Sequence, residues 1–173
     1  MIVMKFGGTS VGSAERIKEV SKIVKSHIGR KPIVVVSAVT KITDALINLA
    51  QEVEKGKGNL NLENIKNTHY EIIKKLQLYE NLLDGDIENL SLLVERHKNK
   101  KIDAKSLDEF KSFGEKMSSK IFAAQLTKIG IKAQAINAWD TGFLTDSEFG
   151  NAEILEKSYT KIKVLVNSKD LQV

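Results

Sequence analysis

The chain of 173 residues is 42% hydrophobic, contains no cysteine, and carries 27 Lys and Arg against 22 Asp and Glu, a formal net charge of +5. That composition suits one globular domain burying about 70% of its unfolded surface. It excludes disorder, fibrous repeats, a disulfide scaffold, Cys-ligated zinc and thiol catalysis.

The opening residues Met1-Ile2-Val3-Met4-Lys5 lack the basic region and cleavage site of a signal peptide. No apolar run approaches the ~20 residues of a membrane span, so a cytoplasmic protein without a membrane partner is expected. Ile2–Phe6 reads as a strand, broken by Gly7-Gly8. Ser13 is placed to cap a helix whose stripe is Ile17, Val20, Val24 and Ile28, and Gly29 stops it. Pro32 opens a second strand, Ile33-Val34-Val35-Val36, apolar throughout as in a strand covered on both faces. Strand, helix and strand within about 35 residues make a right-handed parallel βαβ unit.

A helix from Thr43 carries Leu46, Ile47, Leu49, Ala50 and Val53, and ends at the loop Gly56-Lys57-Gly58-Asn59. From about residue 60 to 105 the pattern is purely helical, which is read as a helical insertion within one domain. The run His97-Lys98-Asn99-Lys100-Lys101 follows a helix and has no interleaved aromatics. It suits a solvated helix end or an anion-binding loop, and no nucleic-acid partner is expected. Ser106 and Glu109 form a capping-box pattern for a helix carrying Phe110, Phe113, Met117 and Ile121, which Gly130 ends. Lys132–Ile136 alternates as a strand does, Trp139–Asn151 reads as a strand pair or loop, and Ile162–Val166 reads as a last strand. The fold class is therefore α/β, with an open, mainly parallel sheet flanked by helices.

In such a sheet, ligands bind beyond the carboxyl ends of the strands. The first loop there, Lys5-Phe6-Gly7-Gly8-Thr9-Ser10-Val11-Gly12-Ser13, combines glycines, a helix N-terminus and a late-strand ammonium, which together describe a phosphate cradle. It is neither GxxxxGKS/T nor GxGxxG, and a Gly-Gly turn after a strand also serves purely structural ends. The second loop, Ser37-Ala38-Val39-Thr40-Lys41-Ile42-Thr43, offers hydroxyls beside another helix N-terminus, with simple helix capping by Thr43 as the competing reading. Glu115 lies beside Gly114 at the margin of an apolar stripe. It can point into a cleft and receive an ammonium, or stand as a solvated surface carboxylate. His27, His69 and His97 make neither ligand spacing nor a triad, and HExxH and GxSxG are absent. No metal ligand is identified.

Four blocks carry a resemblance. They are Lys5-Phe6-Gly7-Gly8-Thr9-Ser10-Val11-Gly12, Val34–Leu46 around Ser37-Ala38 and Thr43-Asp44, Ser112-Phe113-Gly114-Glu115-Lys116-Met117-Ser118, and Thr145-Asp146 with Phe149-Gly150-Asn151-Ala152. Their sequence and order resemble the aspartate kinases of the amino-acid kinase superfamily. The resemblance implies the amino-acid kinase fold, ATP with Mg2+ and L-aspartate as ligands, and a homodimer. It implies that Lys5 neutralises phosphate charge and that Phe6, Gly7, Gly8, Thr9 and Ser10 form the phosphate-facing turn. It further implies that Ser37 and Thr43 hold the acceptor, with Glu115 receiving its α-ammonium. The chain closes at Asp170-Leu171-Gln172-Val173, before the family's Leu-Gly-Arg-Gly-Gly-Ser-Asp block. The expectation is a partial kinase domain, incomplete at the C-terminus and lacking the nucleotide half and ACT domains. Such a chain should have little activity alone.

Overall fold

A computed structural model describes residues 1–57 and 59–168. Strand β1 (Ile2–Phe6) pairs in parallel with β2 (Pro32–Val36), in register from Ile2↔Pro32 to Phe6↔Val36. Helix α1 (Ala14–Ser26) is the crossover between them. Ser13 caps it as expected, its Oγ accepting the Arg16 N–H at 3.3 Å, and Ile17, Val20 and Val24 are buried. The sheet is open on one face. Met4 and Phe6 pack against the core, whereas Val3 and Val35 are 65% and 43% exposed, so the all-apolar second strand is not covered on both sides within the described residues.

Four helices build the rest of the core: α2 (Ile42–Glu54), α3 (Asn59–Leu76), α4 (Asp84–His97) and α5 (Ala104–Lys128). Helix α5 threads the assembly. Its expected stripe of Phe110, Phe113, Met117 and Ile121 is buried against Leu46 and Leu49 of α2 and the inner faces of α3 and α4. At its far end Lys128 Nζ donates to the Leu76 and Gln77 carbonyls at 2.6 and 3.1 Å, serving the last turn of α3. Lys120 Nζ donates to both oxygens of the buried Asp86, at 2.6 and 2.8 Å. His27 ends α1, His69 is buried in α3 with Nδ1 2.7 Å from the Ile65 carbonyl, and His97 packs on the Phe110 ring. No described helix is long and apolar enough to cross a membrane.

Several boundaries differ from the sequence reading. Helix α2 begins at Ile42 with Lys41 in the capping position at φ 66°, so Thr43 lies in the first turn and does not cap. Helix α5 is capped by Asp103, whose carboxylate accepts the Ser106 N–H at 2.8 Å; Glu109 pairs with Arg96 at 3.0 Å and closes no capping box. A capping carboxylate satisfies the orphan amide better than Ser106, which is itself buried. Lys132–Ile136 forms no strand. Its alternation is real, with Ala133 against the core, but the segment pairs with neither β1 nor β2 among the described residues. Ile162–Val166 is helical within α6 (Lys157–Ser168). Short branched runs are ambiguous between the two states, and this run continues the helix that starts beside the buried Ser158. Trp139–Asn151 is mostly loop, with a 3-10 turn at Ala138–Thr141 and one antiparallel bridge, Thr145↔Ile154. Gly58 and Asp170–Val173 lie outside the described residues.

Candidate active site

The two strands end side by side. The Ser37 N–H donates to the Phe6 carbonyl at 3.1 Å, so the loops that follow β1 and β2 leave the sheet as neighbours. The first loop turns tightly. Gly7 is extended, and Gly8–Ser10 form a 3-10 turn closed by Ser10 N–H to Gly7 O at 2.9 Å and Val11 N–H to Gly8 O at 3.3 Å. Among the described residues, no hydrogen bond uses the N–H of Gly8 or Thr9. Two adjacent backbone donors left open before a helix N-terminus are the physical signature of an anion cradle.

The glycines divide their duties in a way the sequence did not show. Gly7 faces open space, whereas a Cβ on Gly8 would lie 2.8 Å from the Ala38 carbonyl and one on Gly12 2.3 Å from Thr40 Oγ1. Gly8 and Gly12 are therefore required by the close approach of the second loop, and Gly7 alone of the three leaves open space beside its Cα.

That second loop is wedged into the core by Ala38 and Val39, both buried. On its other side sits α5. A Cβ on Gly114 would stand 2.7 Å from Ala38 Cβ, so the helix comes close enough for Glu115 Oε1 to accept the Ala38 N–H at 3.3 Å. Glu115 is exposed and keeps further acceptor capacity. Ser37 and Thr43 are half-buried, and their hydroxyls make no hydrogen bond among the described residues. Lys5, opposite Val35 in the register, is exposed with no described hydrogen bond or ion pair. Ala38 thus ties the first loop, the second loop and Glu115 together, although they are distant in sequence.

The fourth sequence block docks on the same helix. Asp146 Oδ1 accepts the N–H groups of Glu148 and Glu153 at 3.1 and 3.2 Å, and Thr145 bridges Ile154. Gly150, at φ +87°, donates its N–H to Asp108 at 2.7 Å. Lys111 at 2.7 Å helps hold the Asp108 carboxyl below its usual range. Asp108 and Glu115 are two helical turns apart on one face of α5, about 10.5 Å along the axis. Beyond Glu115, Lys116 Nζ lies over the rings of Phe113 and Trp139 at 4.3 and 4.9 Å, and burial pushes its pKa down. Sequence reasoning missed this clamp; its only trace was an aromatic three residues before a lysine. Among the described residues no group of three or more His, Asp or Glu could hold a metal.

The sequence profile of the amino acid kinase family matches residues 1–173. Aspartokinase 2, chloroplastic, of Arabidopsis thaliana is 37% identical over 171 residues, covering 95% of this chain and 31% of that protein. Aspartokinase 3 of Bacillus subtilis (strain 168) is 32% identical over 169 residues, covering 94% of this chain and 37% of that protein. The crystal structure of E. coli aspartokinase III in complex with aspartate and ADP superposes with a TM-score of 0.83 at 29% identity, over 95% of this chain and 37% of that one. The chain spans about a third of the length of these relatives.

Proposed function

The chain belongs to the amino acid kinase family, and on that premise we propose that it supplies the acceptor-binding and phosphate-cradling part of an aspartate kinase. A side-chain carboxylate oxygen of L-aspartate attacks the γ-phosphorus of ATP, the bond from that phosphorus to the β–γ bridging oxygen breaks, and 4-phospho-L-aspartate and ADP result. This step opens lysine, threonine and methionine biosynthesis. The observation that supports the reading most is the convergence on Ala38: the donor-rich Gly8–Ser10 turn on one side, the Glu115 carboxylate on the other.

The chemistry asks little of the protein beyond placement. A carboxylate nucleophile is ionised at neutral pH and needs no general base, so alignment and charge neutralisation dominate. In this reading Gly8 and Thr9 donate N–H groups to phosphate oxygens while Phe6 and Gly7 lead the chain into that turn and Ser10 closes it. Lys5 brings an ammonium to the same end of the sheet. Ser37 and Thr43 present free hydroxyls to the acceptor, and Glu115 pairs with its α-ammonium. Mg2+, when it enters with ATP, screens phosphate charge, and this chain contributes no identified ligand to it. The stretch of about 60–105, which includes α3 and α4, acts as a helical insertion that buttresses α5. Homodimer formation belongs to the same proposal.

Calorimetry on the purified chain, with L-aspartate, L-glutamate and MgATP in turn, tests the reading. Aspartate binding without glutamate binding is expected. A chain that binds neither amino acid is a non-catalytic relative, and one that prefers glutamate has another substrate. Lys5→Ala should leave aspartate binding and thermal stability unchanged and remove the phosphate contact. Hydroxamate trapping of the acyl phosphate is expected to show little turnover by this chain alone.

A further inference from the structure

Thr40 has no part in the reading above, yet three observations meet on it. Its hydroxyl donates to the Gly8 carbonyl at 2.9 Å. That carbonyl also receives the Val11 N–H of the 3-10 turn, but at 3.3 Å the turn's own bond is the longer of the two. Gly12 leaves the space that the hydroxyl fills, since a Cβ there would lie 2.3 Å from Thr40 Oγ1.

The Gly8 carbonyl and the Thr9 N–H belong to one planar peptide unit. In a trans peptide they point in opposite directions, and no described peptide bond is cis. Holding the carbonyl against Thr40 therefore turns the Thr9 N–H away from the second loop, toward the side of the turn where Gly7 meets open space. A donor fixed in advance loses no freedom when an anion arrives. A donor on a freely rocking glycine peptide does.

We infer that Thr40 is a positioning residue, whose hydroxyl fixes the Gly8–Thr9 peptide plane and presets the Thr9 N–H to donate to a phosphate oxygen of a nucleotide. Gly12 is the residue that makes room for this latch. The identity of the anion rests on the kinase reading; the existence of the latch does not. Because Thr40 belongs to the loop that carries Ser37 and Thr43, the latch also joins the acceptor loop to the phosphate turn. A shift of either loop is passed to the other through one hydroxyl.

The test uses the 15N-labelled chain with Thr40→Val, which keeps the shape and removes the donor, Thr40→Ser, which keeps the donor, and Gly12→Ala, whose Cβ displaces the hydroxyl. Without ligand, Thr40→Val should move the Thr9 amide resonance and speed Val11 amide exchange by about fivefold or more, leaving α5 amides unchanged. With MgATP it should bind about tenfold more weakly, with aspartate affinity within about twofold of the parent. Thr40→Ser should restore both. An unchanged Thr9 resonance together with unchanged exchange and ATP affinity in Thr40→Val overturns the inference, as does an equal loss in Thr40→Ser. If Thr40→Val fails to fold, Gly12→Ala is read by the same criteria. If the parent chain binds no ATP, the exchange measurements alone decide whether the latch exists, and the kinase reading stands or falls on aspartate binding.

Discussion

Gly114→Ala pits helix propensity against packing at the point where α5 meets the second loop. Inside a helix, Ala is favoured over Gly by about 0.8–1.0 kcal/mol, so the exchange should stabilise wherever space allows. At Gly114 the new methyl would stand 2.7 Å from Ala38 Cβ, 3.4 Å from Leu46 Cδ1 and 3.6 Å from Ile42 Cγ2. Carbon atoms rest about 3.5–4.0 Å apart, so the contact with Ala38 is about 1 Å too close. Ala38 cannot rotate away, because its Cβ is fixed by the backbone. Overpacking of this kind costs roughly 1–3 kcal/mol, which leaves Gly114→Ala between neutral and about 2 kcal/mol less stable. Gly85, near the start of α4, is the control: a Cβ there meets nothing within 4 Å, so Gly85→Ala keeps a gain of about 0.5 kcal/mol. The two variants should differ by roughly 0.5–2.5 kcal/mol. At about 2–4 °C per kcal/mol for a domain of this size, the gap in Tm is about 1–10 °C, with urea titration as the cross-check. Gly114→Ala should also weaken aspartate binding, by moving the Ala38 N–H off Glu115. A Gly114→Ala chain as stable as Gly85→Ala would refute the packing argument.

Glu115→Gln keeps an acceptor for the Ala38 N–H but loses the charge. Aspartate affinity should fall by about 10- to 100-fold with unchanged Tm, and retained affinity would remove Glu115 from the acceptor site. Lys120→Met leaves the Asp86 carboxylate, only 10% exposed, without its cation, and should cost about 1–3 kcal/mol in urea titration. An unaltered midpoint would show that water serves Asp86 equally well. Burial pushes the His69 pKa below its usual 6.5, so the unfolded chain takes up that proton first. Stability from this group is therefore intact above about pH 6.5 and declines as pH falls below it, before Asp103 and Asp108, whose lowered pKa values act below about 4, make themselves felt. Thermal melts from pH 7 to 5 should show this slope, and His69→Leu should flatten it; an equal slope in both assigns the loss elsewhere.

The βαβ opening was legible because Gly7-Gly8 and Pro32 punctuate runs whose periods are unambiguous, although the first helix ends at Ser26, before the Gly29 expected to stop it. The stripe of α5 was legible for the same reason. Ile162–Val166 was not, since a run of five residues is too short for its period to separate helix from strand. At the site, residue types could be read and contacts could not. Glu115 reaches Ala38 across 77 residues and Thr40 reaches Gly8 across 32, separations at which no spacing rule operates. The glycines of the first loop admitted both a ligand-facing and a purely structural reading, and only the structure shows that Gly8 and Gly12 make room for the second loop.

Lys128 bears on how the molecule comes apart. Its ammonium holds the last carbonyls of α3, which it follows by about 50 residues, so fraying of that helix end also breaks its tie to α5. Helices α3 and α4 are a long excursion from the sheet in sequence, yet they share one buried cluster with it. They should therefore melt with the βαβ unit in a single cooperative transition. The slowest-exchanging amides are expected to run through α3 and α5 together, and a protease should find the turn between α3 and α4 resistant until the whole chain opens.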